Sequence, residues 1–275
     1  MRSPQWGIAA LLLVTAPAVA KAQRPLLPAD EAQATARLEA SPRHGEYVRV
    51  GIAPGDSLTA WVVYPERRDK APVVVVIHEI FGLTTWIRGV ADQLASEGFI
   101  AVAPDLLSGK GPGGGGTESV DRQQAVSLIR GLDRNEVLTR LRVVGLWASD
   151  RSAANGRVGS VGFCWGGSTS FALATAWEQL GAAVVYYGSA PESGYERIRA
   201  PVLGLYGADD ARVNATIPTA QAEMTRLGKR FVSETYEGAG HGFLRQQQER
   251  DGANLRATQA AWPRMLAFFR EALGA

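Results

Sequence analysis

Apolar and polar positions fall into two alternating rhythms along the chain. Tyr47–Ile52 and Leu58–Tyr64 alternate with a period of two and flank Pro54-Gly55-Asp56, which predicts a β-hairpin or two successive edge strands. Pro72–Ile77 is an unbroken β-branched run, the pattern of a strand buried on both faces. A helical stretch at Ile87–Glu97 and a strand at Phe99–Ala103 follow. Val120–Asp150 reads as one or two helices broken near Gly131-Leu132-Asp133. Beyond it come a strand ending near Phe163, a helix-like run Ser168–Leu180, and strands at Ala182–Tyr186 and Pro201–Tyr206. A helix at Ile217–Leu227, a strand at Arg230–Tyr236 and a helix at Leu255–Ala272 complete the series. Strands alternating with helices predict an α/β fold, with a mostly parallel central sheet and helices on both faces.

The N-terminal 45 residues do not share this rhythm. Arg2 supplies a short positive region and Ile8–Val14 an apolar one. Ala18-Val19-Ala20 or Ala20-Lys21-Ala22 offers a small-residue cleavage site, so residues 1–22 read as a signal peptide. The implied location is periplasmic or secreted, with no membrane insertion after cleavage, because no later segment is long and apolar enough to span a bilayer. Residues 23–45 read as a polar leader with a short helix, Asp30–Glu39, bounded by Pro28 and Pro42. Residues 46–275 then form a single domain, about the size expected of one α/β unit.

Charge narrows the function. Lys and Arg number 29 against 27 Asp and Glu, and no basic cluster appears, so neither a nucleic-acid partner nor a membrane surface is implied. The glycine-rich run Ser108–Thr117 lacks the Lys-Ser/Thr ending and preceding strand of a phosphate cradle and reads as a plain loop. One cysteine cannot form an internal disulfide, so the fold is not built on one.

That cysteine carries the chemistry. Val158–Phe163 runs as a strand into Gly162-Phe163-Cys164-Trp165-Gly166-Gly167 and on into a helix. This is the nucleophile-elbow pattern of an α/β-hydrolase with a thiol in place of the usual hydroxyl. Gly162 and Gly166 lack the Cβ that a sharp strand-to-helix turn would crowd. The helix N-terminus offers free N–H groups and a positive dipole end, which favour a thiolate or an oxyanion. A thiol nucleophile needs a base, and the base an orienting acid, in the chain order nucleophile, acid, histidine. His241 is the only one of three histidines after Cys164. Asp209 and Asp210 compete for the acid after the strand Pro201–Tyr206, and the Gly-x-x-Asp-x-x-Val spacing from Gly207 to Val213 selects Asp210. The Trp165 N–H should form half of an oxyanion hole. The other half is expected from the loop His78-Glu79-Ile80-Phe81-Gly82, where Glu79 is a carboxylate at the end of a buried strand.

The motifs His78-Glu79-Ile80-Phe81-Gly82, Ala103-Pro104-Asp105-Leu106, Gly162–Gly167, Tyr186-Tyr187-Gly188, Gly207–Val213 and His241-Gly242-Phe243 stand in the order found in the dienelactone hydrolase family. The chain resembles that family over residues 45–272. The resemblance implies a Cys164-Asp210-His241 triad, Ile80 as the second oxyanion donor, and Glu79 as the group that contacts the resting thiol and takes its proton when substrate binds. It also implies that Arg245 holds a substrate carboxylate. The chain departs from the founding pattern at Gly109, where a second arginine is expected and only the neighbouring Lys110 is cationic. Phe81, Trp86, Trp165, Tyr187 and Phe243 are candidate pocket walls. The expectation is an exported hydrolase of small esters or lactones, acting through an acyl-thioenzyme without metal or cofactor. The alternative is a non-catalytic binding protein on the same fold.

Overall fold

The computed structural model describes residues 26–274; the signal-peptide reading of residues 1–22 lies outside them. The alternating segments pair into one eight-stranded sheet. Strands β1 (Gly45–Ala53) and β2 (Asp56–Val63) form the antiparallel hairpin predicted at one edge. Strand β4 (Ile100–Pro104) runs antiparallel to β2 and parallel to β3 (Ala71–Ile77). The remaining strands, β5 (Ala154–Phe163), β6 (Ala182–Tyr186), β7 (Val202–Gly207) and β8 (Phe231–Tyr236), continue in parallel in that order, giving β1-β2-β4-β3-β5-β6-β7-β8.

The β-branched run of β3 shows why the centre of the sheet is apolar on both sides. Successive side chains point to opposite faces. Val73, Val75 and Ile77 enter a core with Leu141 and Val144 of α4 (Arg134–Ser149) and Phe171 and Leu173 of α5 (Trp165–Ala176). Val74 and Val76 enter another with Ile87 and Leu94 of α2 (Thr85–Ser96) and Trp262 and Leu266 of α8 (Ala253–Leu273). Helices α3 (Arg122–Arg130), α6 (Ala211–Asn214) and α7 (Ile217–Arg226) complete the covering. The break expected near Gly131 falls between α3 and α4; Asp121 caps the start of α3, and Asp133 restarts the chain as the cap of α4.

Two predicted helices are corrected. The run expected at Ser168–Leu180 starts earlier, at Trp165, because Cys164 itself is the residue before the first turn; it stops at Ala176, where Trp177 turns to extended backbone. The leader helix α1 is confined to Ala34–Glu39. Ahead of it the chain makes a tertiary bond, the Glu31 N–H donating to the Arg245 carbonyl at 2.9 Å, and a local turn in which Asp30 Oδ1 accepts the Gln33 N–H at 3.0 Å. The leader is thereby laid across the domain, with the Trp86 indole N–H on the Ala29 carbonyl and the Gln247 amide on the Pro28 carbonyl.

Candidate active site

Parallel strands bring their carboxyl ends to one edge of the sheet, and the loops there assemble the site. At the end of β5 the chain reverses through Cys164, whose φ of 57° and ψ of −119° lie outside the ordinary regions for a side-chain-bearing residue. The turn is tight enough to exclude side chains beside it. A Cβ on Gly162 would overlap the Gly166 carbonyl, and one on Gly166 would overlap the carbonyls of Ile77 and His78 at the end of β3. The Cys164 N–H donates to the Tyr186 carbonyl at 3.1 Å, and its own carbonyl accepts the Ser168 N–H at 3.1 Å, so both flanks of the elbow are tied down.

The Trp165 backbone N–H favours the Cys164 anion, but burial and the negative charge of Glu79 outweigh it. Burial first, and Glu79 second, push the thiol up to about 11 from an ordinary 9.0. The resting thiol therefore carries its proton at neutral pH.

Glu79 follows β3 and is 3% exposed. Burial raises its carboxyl to about 7; Arg245 opposes the rise and Glu31 adds to it. Arg245 Nε lies 2.8 Å from Glu79 Oε2, an ion pair whose N–H is not aligned on the oxygen, and the same guanidinium is bonded through Nη1 to Glu31. Ile80 is half-buried beside Leu107 and Ile129, and Phe81 lies under two cations, Arg122 at 3.6 Å and Arg245 at 5.4 Å from the ring centre.

Across the site, His241 Nδ1 lies 2.5 Å from Asp210 Oδ2, while Asp209 turns outward to Arg250. The Tyr187 ring, held at a φ of 40°, lies 5.2 Å from the imidazole of His241, centre to centre. Tyr187, Trp86 and Phe243 are fully enclosed and back the site from the core, with Phe243 edge-on to Tyr187. Arg245 does not begin a helix after His241; the segment turns, with the Arg245 N–H on the Gly242 carbonyl. Lys110, beside Gly109, is paired with Glu136 of α4 at 2.7 Å.

Further residues support the site, and their partners lie too far along the chain for spacing to show them. His78, buried, donates through Nδ1 to the Glu79 carbonyl at 2.7 Å and accepts the Leu106 N–H at Nε2. Burial holds its pKa below the ordinary value, so it stays neutral and fixes the loop that carries Ile80. Asp105 accepts the Thr117 N–H and hydroxyl at 2.8 and 2.7 Å, and the Thr117 hydroxyl oxygen accepts the Leu83 N–H at 2.9 Å. The glycine-rich run is thereby a clasp on the loop after β3. A cavity of about 360 Å³ opens beside the elbow, lined among others by Trp165, Ser168, Ala172, Leu138, Arg134 and Pro191.

A parallel sheet with a strained cysteine turn after β5, an acid after β7 and a histidine after β8 defines an α/β-hydrolase. The chain belongs to the dienelactone hydrolase family, whose model it matches over residues 58–273, and is a hydrolase of the carboxylic-ester class. It is 33% identical to a carboxymethylenebutenolidase of Pseudomonas putida over 198 residues, covering 70% of this chain and 82% of that one. The solved structure of a dienelactone hydrolase-like promiscuous phosphotriesterase from metagenomic libraries superposes with a TM-score of 0.69 at 27% identity. That match covers 84% of this chain and 98% of the other.

Proposed function

We propose that the protein is an exported enzyme that hydrolyses small carboxylic esters or lactones through an acyl-thioenzyme on Cys164. The observation that carries this reading is the 2.5 Å contact of His241 with Asp210 on the same sheet edge as the strained Cys164 elbow. Similarity to carboxymethylenebutenolidases supports a lactone or ester carbonyl as the reacting group.

In this mechanism the thiol's proton passes to Glu79, whose raised pKa suits it as an acceptor near neutrality. The sulfur attacks the carbonyl carbon and a C–S bond forms. The N–H groups of Trp165 and Ile80 hold the oxyanion. As the C–O bond breaks, the His241 imidazolium, paired with Asp210, protonates the leaving oxygen. Neutral His241 then takes a proton from water, whose oxygen attacks the thioester. The thiolate departs and recovers its proton from Glu79, which restores the resting state. The apolar part of the substrate fits the cavity beside Trp165 and Ser168.

The test is a panel of aryl esters and lactones assayed with and without iodoacetamide, beside Cys164→Ala. Hydrolysis lost on alkylation and in the variant supports the reading. Hydrolysis that survives both removes Cys164 from the mechanism, and a native-like protein inert to the whole panel favours a binding role on the same fold. Recovery of the processed chain from the periplasm or medium tests export, which rests on residues 1–22.

A further inference from the structure

The leader places a carboxylate inside the site. Glu31 Oε1 accepts from Arg122 Nη1 at 2.9 Å, and Glu31 Oε2 accepts from Arg245 Nη1. The two guanidinium groups approach from different elements, α3 and the turn after His241, and both lie over the ring of Phe81. Burial works against the Glu31 anion, yet the two arginines outweigh it and hold its carboxyl below the ordinary 4.5. The Arg245 half of this pairing is not a loose surface contact, although the Glu31 and Arg122 side chains are 38% and 54% exposed. Arg245 is only 12% exposed, and the Glu31 backbone is tied to the Arg245 carbonyl at 2.9 Å. Neighbouring leader residues are anchored on Trp86 and Gln247.

Arg245 is also the group whose charge reaches the reacting residues: it favours the ionised forms of both Glu79 and Cys164. A planar guanidinium at that position, unpaired, would present a fork to any substrate carboxylate. Here the fork is already engaged, by Glu79 on Nε and by Glu31 on Nη1. The second cation that could serve an incoming anion, Arg122, is bonded to the same Glu31.

We propose that Glu31 is a specificity-determining residue: its carboxylate fills the anion subsite formed by Arg245 and Arg122, so that the enzyme takes esters and lactones whose acyl part is uncharged. The assignment rests on the reading of this sheet edge as the ester-hydrolysing site. An anionic substrate must either displace Glu31, breaking a charge-assisted pair held by a tethered backbone, or enter beside an uncompensated carboxylate. A neutral substrate meets neither obstacle.

The experiment compares the full chain with Glu31→Gln, Glu31→Ala and the double variant Glu31→Gln/Arg245→Gln. Benzoate binding is measured by calorimetry at low ionic strength, which needs no turnover. The expected result is no saturable binding to the wild type, a gain of at least about tenfold in affinity in both single variants, and loss of that gain in the double variant. Phenyl acetate and the monophenyl ester of succinate are then hydrolysed side by side. Glu31→Gln should raise kcat/KM for the anionic ester by about tenfold and leave the neutral one within about twofold. The proposal is overturned if benzoate binds wild type and Glu31→Gln alike, if the gain persists without Arg245, or if both esters respond equally to the substitution. Failure of the wild type to hydrolyse any ester would count against the proposed function alone, because the benzoate measurement stands without catalysis.

Discussion

Asp210 lies 2.5 Å from the Nδ1 nitrogen of His241, while the carboxylate next to it in sequence, Asp209, faces away to Arg250. Both sit at the end of β7, so their different environments come from one peptide's change of direction and not from separate elements. Asp210 is 7% exposed; its position also stands before the first residue of α6. Asp209 is held by its own N–H on the Ala239 carbonyl, which turns its side chain to solvent.

From this geometry Asp210→Asn should lower kcat by about 10²–10⁴-fold, because an amide cannot hold the imidazole in the required tautomer or stabilise its cation. Asp209→Asn should change kcat by less than about threefold, since an exposed ion pair contributes little. Steady-state kinetics of the two variants on one aryl ester decides the matter, and a larger defect for the Asp209 change would reassign the acid.

Cys164 combines two separable features, the proposed nucleophilic thiol and a strained backbone. Cys164→Ala and Cys164→Gly should both lose at least about 10³ in kcat. They should differ in stability, with the glycine variant about 1 kcal/mol more stable than the alanine one, because glycine adopts a φ of 57° without a Cβ penalty. Urea melts of the two inactive proteins measure the difference. In the wild type, the rate of alkylation by iodoacetamide should keep climbing above pH 9, towards the thiol's value of about 11.

Glu79 makes stability depend on pH in a definite direction. Its carboxyl is raised from 4.5 to about 7 in the folded chain. Below 4.5 both folded and unfolded forms hold the proton. Between 4.5 and 7 the folded state holds it and the unfolded state does not, so rising pH favours unfolding. Above about 7 the whole cost is present, on the order of 3 kcal/mol. Glu79→Gln has no such group, and its stability relative to wild type should therefore improve from pH 4.5 to pH 8 by about that amount. Denaturant unfolding of both proteins across this range checks the sign, and a wild type that gains on Glu79→Gln with rising pH would refute it.

Thr117 joins the glycine-rich segment to the loop after β3 through its hydroxyl, which donates to Asp105 and accepts from Leu83. Thr117→Val keeps the shape and removes both bonds, leaving the Leu83 N–H without that acceptor. The expected cost is about 1–3 kcal/mol of stability. Because the same loop carries Ile80, kcat should fall by about tenfold with KM little changed. A variant that melts lower yet keeps full kcat would show that the clasp serves the fold alone.

How much of this was readable from the sequence depends on the range of the interaction involved. The strands and helices were legible because burial imposes a period of two on one and 3.6 on the other. The antiparallel hairpin β1–β2 announced itself through Pro54-Gly55-Asp56, and the β-branched run marked β3 as central. The elbow was legible because it is local: the residues that must lack a Cβ stand two positions either side of Cys164. The spacing from Gly207 to Val213 singled out Asp210 over Asp209 for the same reason, since one short turn sets both side-chain directions.

What only the tertiary structure decided involves partners far apart in the chain, for which no periodicity or spacing exists. The order of strands in the sheet is of this kind, as is the pairing of Lys110 with Glu136, which turns the nearest cation at the Gly109 position away from the anion-anchoring role. The leader's path is the clearest case. Its sequence suggests an isolated helix from Asp30, but the Glu31 N–H and carboxylate bond to Arg245, 214 positions away, and the helix waits until Ala34. Local propensity favours the helix by tenths of a kcal/mol per residue, roughly. A charge-assisted pair at a half-buried site outweighs that, and only the folded sheet edge brings Arg245 and Arg122 together to form it.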